Sequence, residues 1–215
     1  VKIIIAENFA RLAATMIGGK TLALPTGNTS IGMYNELKKL NLDWRRIKIF
    51  MLDVNYPQDP VEPDSFYRFA KKHLPTDKFE ILDSQAKDPE IECRQYETKI
   101  KAAGGLDLAV LGIGVNGHIA YNEPGTSFGS LTHLAELAPE TIKLNHLKTH
   151  QGLTMGIKTI MAAKKIILLA KGAAKAAIVK RAVEGPVTES CPASVLQMHP
   201  DATLILDREA ASLVK

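Results

Sequence analysis

Leu106-Asp107-Leu108-Ala109-Val110-Leu111, followed by Gly112-Ile113-Gly114-Val115-Asn116-Gly117-His118-Ile119-Ala120-Tyr121-Asn122-Glu123-Pro124-Gly125, is the stretch on which the fold turns. The first six residues, apolar except for Asp107, read as a buried strand bounded by glycine. The segment at its carboxyl end then puts His118 and Glu123 on one short stretch closed by Pro124. Glycines let the backbone approach a ligand, an imidazole moves protons near neutral pH, and a nearby acid can fix its tautomer. Gly112, Gly114 and Gly117 also spell G-x-G-x-x-G. A dinucleotide fingerprint, however, needs a long helix directly after it in the first βαβ unit. Here the motif lies mid-chain, and Pro124 limits any helix to about two turns. The nicotinamide reading is therefore weak.

On either side, apolar runs alternate with amphipathic segments. That is the pattern of an α/β fold, an open, mostly parallel, Rossmann-like sheet with helices on both faces. Thr21 to Leu24, Ile47 to Leu52, Phe79 to Leu82, Lys165 to Ala170 and Thr203 to Leu206 read as further strands. A helix follows Thr29 or Ser30, with Ile31, Tyr34, Leu37 and Leu40 at helical spacing. A proline-rich loop, Tyr56 to Pro63, leads to a helix capped by Asp64 and running to about His73. Asp88-Pro89 opens another, on which Cys93, Tyr96, Ile100 and Ala103 share a face before Gly104-Gly105 closes it. Thr149 to Ala163 and Gly172 to Val183 also read as helical, the second stopping at Gly185-Pro186, and a short helix ends at Leu196.

The 215 residues and 23.4 kDa are most economically one domain, 1–215, with a sizeable core. The net charge of +4 comes from dispersed lysines, and the pairs Lys38-Lys39, Lys71-Lys72 and Lys164-Lys165 read as solvated faces. No basic stretch interleaved with aromatics suggests a nucleic-acid partner, and a small anionic substrate is the better use of a modest positive bias. Cys93 and Cys191 form neither a metal cluster nor a disulfide framework, which fits a reducing cytoplasm. No stretch reaches membrane-spanning length and no signal peptide is evident. The chain opens on Val1, so an initiating residue or short leader is expected before it.

Four polar loops each follow an expected strand: Pro25 to Ser30, Asp53 to Pro57, Gly112 to Glu123, and Lys171 to Lys175. In open α/β sheets ligands bind beyond the strands' carboxyl ends, so these loops should converge. Thr26-Gly27-Asn28-Thr29 offers hydroxyls and free N–H groups at a helix start, a cradle for phosphate that also reads as simple capping by Thr29 or Ser30. It lacks the Gly-Lys-Ser/Thr of a Walker loop. Lys175, one turn into the next helix, can add charge to such a phosphate or be a solvated lysine. Asp53 at the end of an apolar strand is a candidate general base once desolvated, or else a turn-forming Asp. His118 with Glu123 is the stronger candidate, and no Cys or His spacing suggests a metal site.

The chain resembles the glucosamine-6-phosphate deaminase and galactosamine-6-phosphate isomerase family over nearly its whole length. The resemblance rests on Leu24-Pro25-Thr26-Gly27-Asn28-Thr29-Ser30, Leu52-Asp53, Glu92-Cys93-Arg94-Gln95-Tyr96-Glu97 and Gly117 to Gly125. Leu153-Thr154-Met155-Gly156-Ile157 and Ala182 to Thr188 add to it. It implies a cofactor-free conversion of a hexosamine 6-phosphate to a ketose phosphate with release of ammonia. By matching position, His118 assisted by Glu123 would open the sugar ring, and Asp53 would carry a proton from C2 to C1. Thr26, Gly27, Asn28, Thr29, Lys175 and the glycine at 112 would hold the substrate, chiefly its phosphate. A homo-oligomer is compatible with the family.

The chain departs from the family's pattern in three places. Asn116 stands where an Asp usually precedes Gly-His, and an amide there can orient the imidazole without charging it. Asp53-Val54-Asn55-Tyr56 lacks an acid usual after the strand, and Ser130-Leu131-Thr132-His133 replaces an arginine-rich stretch. Lys148 is the nearest counterpart of a later phosphate-binding arginine. Asn116 and His146-Leu147-Lys148 look more like the galactosamine branch, whereas Ala182 to Thr188 and Cys191 to Pro200 look more like the glucosamine branch. Three rivals stay open: the galactosamine epimer as substrate, a 6-phosphogluconolactonase-like hydrolase, and a non-catalytic sugar-phosphate sensor.

Overall fold

The computed structural model describes residues 1–215. Along the chain run β1 (Lys2–Ile5), α1 (Phe9–Thr15), β2 (Thr21–Leu24), α2 (Asn28–Leu37), β3 (Lys48–Met51) and β4 (Asp53–Tyr56). There follow α3 (Phe66–His73), α4 (Pro89–Ala102), β5 (Leu108–Gly112), β6 (His133–Glu136), α5 (Pro139–Asn145) and β7 (Gln151–Thr154). The chain ends with α6 (Ile157–Met161), β8 (Lys165–Ala170), α7 (Ala176–Glu184) and β9 (Ala202–Leu206). Six strands make one parallel sheet in the order β1-β9-β8-β5-β2-β3, and β4-β7-β6 make a small antiparallel sheet. No helix is long and apolar enough to cross a membrane.

The inner strands of the parallel sheet are buried on both faces, so they are largely apolar and their side chains alternate between two cores, while β1 at the edge stays half exposed. Leu22, Leu24, Leu108, Val110, Ile167 and Leu169 pack toward α1 and α2, against Phe9, Ala13, Met33, Tyr34 and Leu37. Ala23, Ala109, Leu111, Ile166 and Leu168 face the other way, toward Cys93, Tyr96 and Ile100 of α4 and Ile178 and Val179 of α7. After β2 the chain moves outward to β3, and from β5 it moves the opposite way through β8 to β9. The topological switch point therefore lies between β2 and β5, where an α/β sheet opens a crevice at its carboxyl edge.

Several expectations need correcting. Residues 53–56 are not a loop but β4, paired antiparallel to β7. Their alternation is period two with a polar side: Asp53 and Asn55 line the cavity, while Val54 and Tyr56 pack on the core. Thr149 to Ala163 is not one helix, because β7 claims its first half and α6 begins only after Gly156. Ser65, not Asp64, caps α3 by accepting the Arg68 N–H. Phe79 to Leu82 contributes a single bridge, Glu80 with Phe50. Residues 113–125 form turns, within the limit that Pro124 sets on any helix there, and β1, α1, β6 and α5 carry too little periodic signal to be read from the sequence.

Candidate active site

The loops after β2, β5 and β8 and the strand β4 that follows β3 converge on one cavity of about 470 Å³ at the switch point. Thr26, Gly27, Asn28, Thr29, Asp53, Gly112, His118, Lys148 and Lys175 all line it. Asn116 and Glu123 stand behind His118 rather than on the wall.

At one end of the cavity α2 begins. Gly27 precedes it with φ +97°, a left-handed conformation that glycine adopts without strain, and no side chain caps the helix. Its first N–H groups and the positive end of its dipole are thereby left for an anion. Tyr34 of α2, fully buried, donates its hydroxyl to Pro25 O at 2.6 Å and fastens the loop to the helix. Lys175 closes the short 3₁₀ turn Ala173–Lys175 and is half-buried, with Nζ donating to Ile113 O at 2.7 Å. Burial lowers its pKa. Its bland alternative, a solvated surface lysine, does not describe this position.

Asp53 owes its place to a corner. β3 ends at Met51, Leu52 N–H donates to Leu24 O and Met155 N–H to Leu52 O, and the chain enters the second sheet at Asp53. Tyr96 of α4 braces the corner by donating to Met51 O at 2.7 Å. Asp53 is 7 % exposed, and its carboxyl accepts a hydrogen bond from the Thr26 hydroxyl at 3.4 Å. Burial without a cation drives its pKa up to about 7, against a smaller lowering by Thr26. A carboxyl poised there can accept a proton at neutral pH and return it.

The His118 ring packs flat on Gly114, where any Cβ would overlap it. Nδ1 lies 3.3 Å from Glu123 Oε2 and 3.3 Å from the Thr141 hydroxyl, which leaves Nε2 for the reacting group. Burial raises the Glu123 carboxyl, but hydrogen bonds from His118, Thr141 and Asn116 outweigh it and hold the pKa below the ordinary range. Glu123 Oε1 also accepts the Ala138 N–H at 3.3 Å. Asn116 does not touch the imidazole, contrary to expectation. Its Oδ1 accepts the His118 backbone N–H at 3.1 Å and its Nδ2 donates to Glu123 Oε2 at 2.7 Å, so it orients the acid instead.

Lys148 reaches the rim, but Glu62 and Asp64 hold its Nζ at 3.1 and 3.2 Å. Its charge is already matched. Sequence reasoning missed Thr141, Asn55 and Tyr121. Thr141 is buried on α5, and Tyr121 donates to Asn55 Oδ1 at 2.7 Å inside the cavity wall. Pro139-Glu140 is a helix-start signal that could have located α5, though not the meeting of Thr141 with His118. No group of three or more His, Cys, Asp or Glu side chains is arranged to hold a metal ion.

A helix start with free N–H groups, a desolvated carboxyl and an acid-tied imidazole around one crevice are the equipment of an acid–base α/β enzyme. The family model for glucosamine-6-phosphate isomerases/6-phosphogluconolactonase matches residues 4–205, and the chain belongs to that family. Glucosamine-6-phosphate deaminase of Lactobacillus delbrueckii subsp. bulgaricus is 43 % identical, the match covering 100 % of both chains. The enzyme of the same name from Clostridium botulinum is 40 % identical over 98 % of each. A solved monomeric glucosamine-6-phosphate deaminase superposes with a TM-score of 0.92 at 35 % identity, covering 99 % of this chain and 100 % of that one. The 6-phosphogluconolactonase of Trypanosoma cruzi, 22 % identical with a TM-score of 0.81, shares the fold.

Proposed function

We propose that the chain converts glucosamine 6-phosphate and water to fructose 6-phosphate and ammonia, with residues 1–215 acting as one unit. The observation that carries the reading is the pairing, across one cavity, of a carboxyl raised to about 7 with an imidazole backed by a carboxylate. An aldose–ketose conversion needs these two devices, one to open the ring and one to shuttle a carbon-bound proton. Relatives at 40–43 % identity named glucosamine-6-phosphate deaminase support the glucosamine epimer over the galactosamine one.

The N–H groups at the start of α2 and the Lys175 ammonium bind the phosphate, and Thr26 keeps Asp53 turned toward the sugar. His118 Nε2 takes the C1 hydroxyl proton and delivers it to the ring oxygen, while Glu123 holds Nδ1 and stabilises the imidazolium that forms. Asp53 removes the proton from C2 of the open chain while a proton of the C2 ammonium passes to O1, giving an enol with the amine still on C2. Returning the C2 proton to C1 leaves an iminium at C2; water adds there, its proton passes to nitrogen, and ammonia departs as ammonium, leaving the ketone.

The test is incubation of the protein, separately, with glucosamine 6-phosphate, galactosamine 6-phosphate and 6-phosphogluconolactone. Ammonia and ketose phosphate from the first alone is the expected result. Ammonia from the second alone would move the assignment to the other epimer, and lactone hydrolysis without ammonia would replace it. Binding of the sugar phosphates without turnover would make the protein a sensor.

A further inference from the structure

Between the His118–Glu123 pair and α5 lies an amide with both ends committed. Asn116 Nδ2 donates to Glu123 Oε2 at 2.7 Å and to Glu140 Oε1 at 3.2 Å, while Oδ1 accepts the His118 N–H at 3.1 Å. An NH₂ group has two hydrogens, and here each goes to a different carboxylate. A flipped amide would turn Oδ1 against both carboxylates and its NH₂ against a backbone N–H, so the orientation is unique. Glu140 sits in the first turn of α5, beside Thr141, which touches His118 Nδ1. The start of α5 thus meets Glu123 through the Ala138 N–H, through Thr141, and through Glu140 by way of Asn116. His118, Glu123 and Glu140 are the titratable residues that meet this amide, and neither carboxylate forms an ion pair with a lysine or arginine.

We propose that Glu140 is a positioning residue for the reaction: through the Asn116 amide it fixes Glu123 against His118, and it requires position 116 to be neutral. The proposal rests on the reading of His118 and Glu123 as the ring-opening pair. An acceptor on the far hydrogen of Nδ2 stops the amide from rotating, and the near hydrogen then holds Oε2 where His118 needs it. A carboxylate at 116 would stand within hydrogen-bond distance of both Glu123 and Glu140. Like charges so close oppose one another's ionisation and push apart, so the carboxylate support of His118 weakens. Removing the Glu140 charge relieves that conflict.

The experiment measures kcat, KM and pH profiles for wild type, Asn116→Asp, Glu140→Gln, the double variant and Glu123→Gln. Asn116→Asp is expected to lose about tenfold in kcat at little change in KM, its profile below about pH 6 steepening from one proton toward two. Glu140→Gln, which keeps an acceptor for Nδ2, should lose about twofold to threefold in kcat. The double variant should regain most of the Asn116→Asp loss and return to the one-proton slope. A double variant no better than Asn116→Asp, beside an inactive Glu123→Gln, overturns the role of Glu140 alone. An active Glu123→Gln with an unchanged profile overturns the reading beneath it. If Asn116→Asp does not fold, Glu140→Ala decides: a kcat lower than that of Glu140→Gln at equal KM is expected, and a kcat equal to wild type overturns the proposal.

Discussion

Asp53→Asn should inactivate the protein and stabilise it, and the stabilisation should depend on pH in a direction fixed by the structure. Burial carries the Asp53 pKa from 3.8 to about 7, so above pH 7 the folded state holds a carboxylate it would rather protonate. The sign follows from proton linkage. Between the two pKa values the folded state binds more protons than the unfolded one, so stability falls as pH rises from about 4 to about 7 and then levels off. The full difference corresponds to about 4 kcal/mol, of which the interval from pH 5 to pH 8 contains about 2 to 3 kcal/mol. Asparagine fills the same volume, keeps an oxygen for the Thr26 hydroxyl and cannot ionise. The assay is urea unfolding of both proteins at pH 5 and pH 8, with turnover measured on the same samples. The variant's advantage should be larger at pH 8 by about 2 kcal/mol or more, and kcat should fall by at least about a hundredfold. Equal advantage at both pH values would refute the argument that burial sets this carboxyl. Near-wild-type turnover would remove Asp53 from the chemistry.

Lys175→Ala should raise the KM for phosphorylated sugars by about tenfold or more while leaving affinity for unphosphorylated sugars nearly unchanged, since a lost charge-assisted bond is worth roughly 1.5–3 kcal/mol; equal losses for both ligand types would return Lys175 to a structural role. Thr141→Val should lower kcat several-fold and shift the pH profile, with Thr141→Ser recovering most of the loss, because the hydroxyl rather than the methyl meets His118 Nδ1; an unshifted profile in the valine variant would make Thr141 merely a packing residue. Gly114→Ala should fold but lose most activity, because its Cβ occupies the space of the His118 ring; a crystal structure with His118 unmoved would contradict this. The profile of kcat/KM in the wild type should rise through about pH 7 as Asp53 ionises, and a rise centred two units lower would place the base elsewhere.

The inner strands of the parallel sheet were legible because they are buried on both faces and therefore nearly all apolar: Lys165 to Ala170 falls where the sequence puts it, whereas the half-exposed edge strand β1 was missed. The small sheet was not. Half of β4 faces a polar cavity, so Asp53-Val54-Asn55-Tyr56 reads as a loop although it pairs along its full length with β7. Gln151 to Thr154 and His133 to Glu136 are only four residues each, too short for a period to separate strand from helix. The cavity's walls came through for a similar reason. Asp53, His118 and the Thr26 to Thr29 cradle each follow a legible strand, whereas Thr141 arrives on a seven-residue helix between two strands the sequence does not announce. The partners of Asn116 were out of reach, since the contact with Glu140 spans 24 residues and depends on where α5 lands.

The corner at Leu52 joins the two halves of this reading. A carboxyl near pKa 7 needs burial without a cation, and burial of a side chain at a strand end needs a second layer over it. β4 and β7 supply that layer, and the hydrogen bonds of Leu52 to Leu24 and Met155 fix which residues face inward. Because side chains alternate along a strand, slipping β4 by one residue would turn Asp53 and Asn55 into the core and put Val54 and Tyr56 at the cavity. The register of four residues therefore decides both the stability of the corner and which side chain stands in the place of the proposed base. Inserting a single alanine after Leu52 tests that coupling. It should cost activity and unfolding free energy together, whereas a variant that kept its stability and lost only turnover would show that the base and the corner are independent.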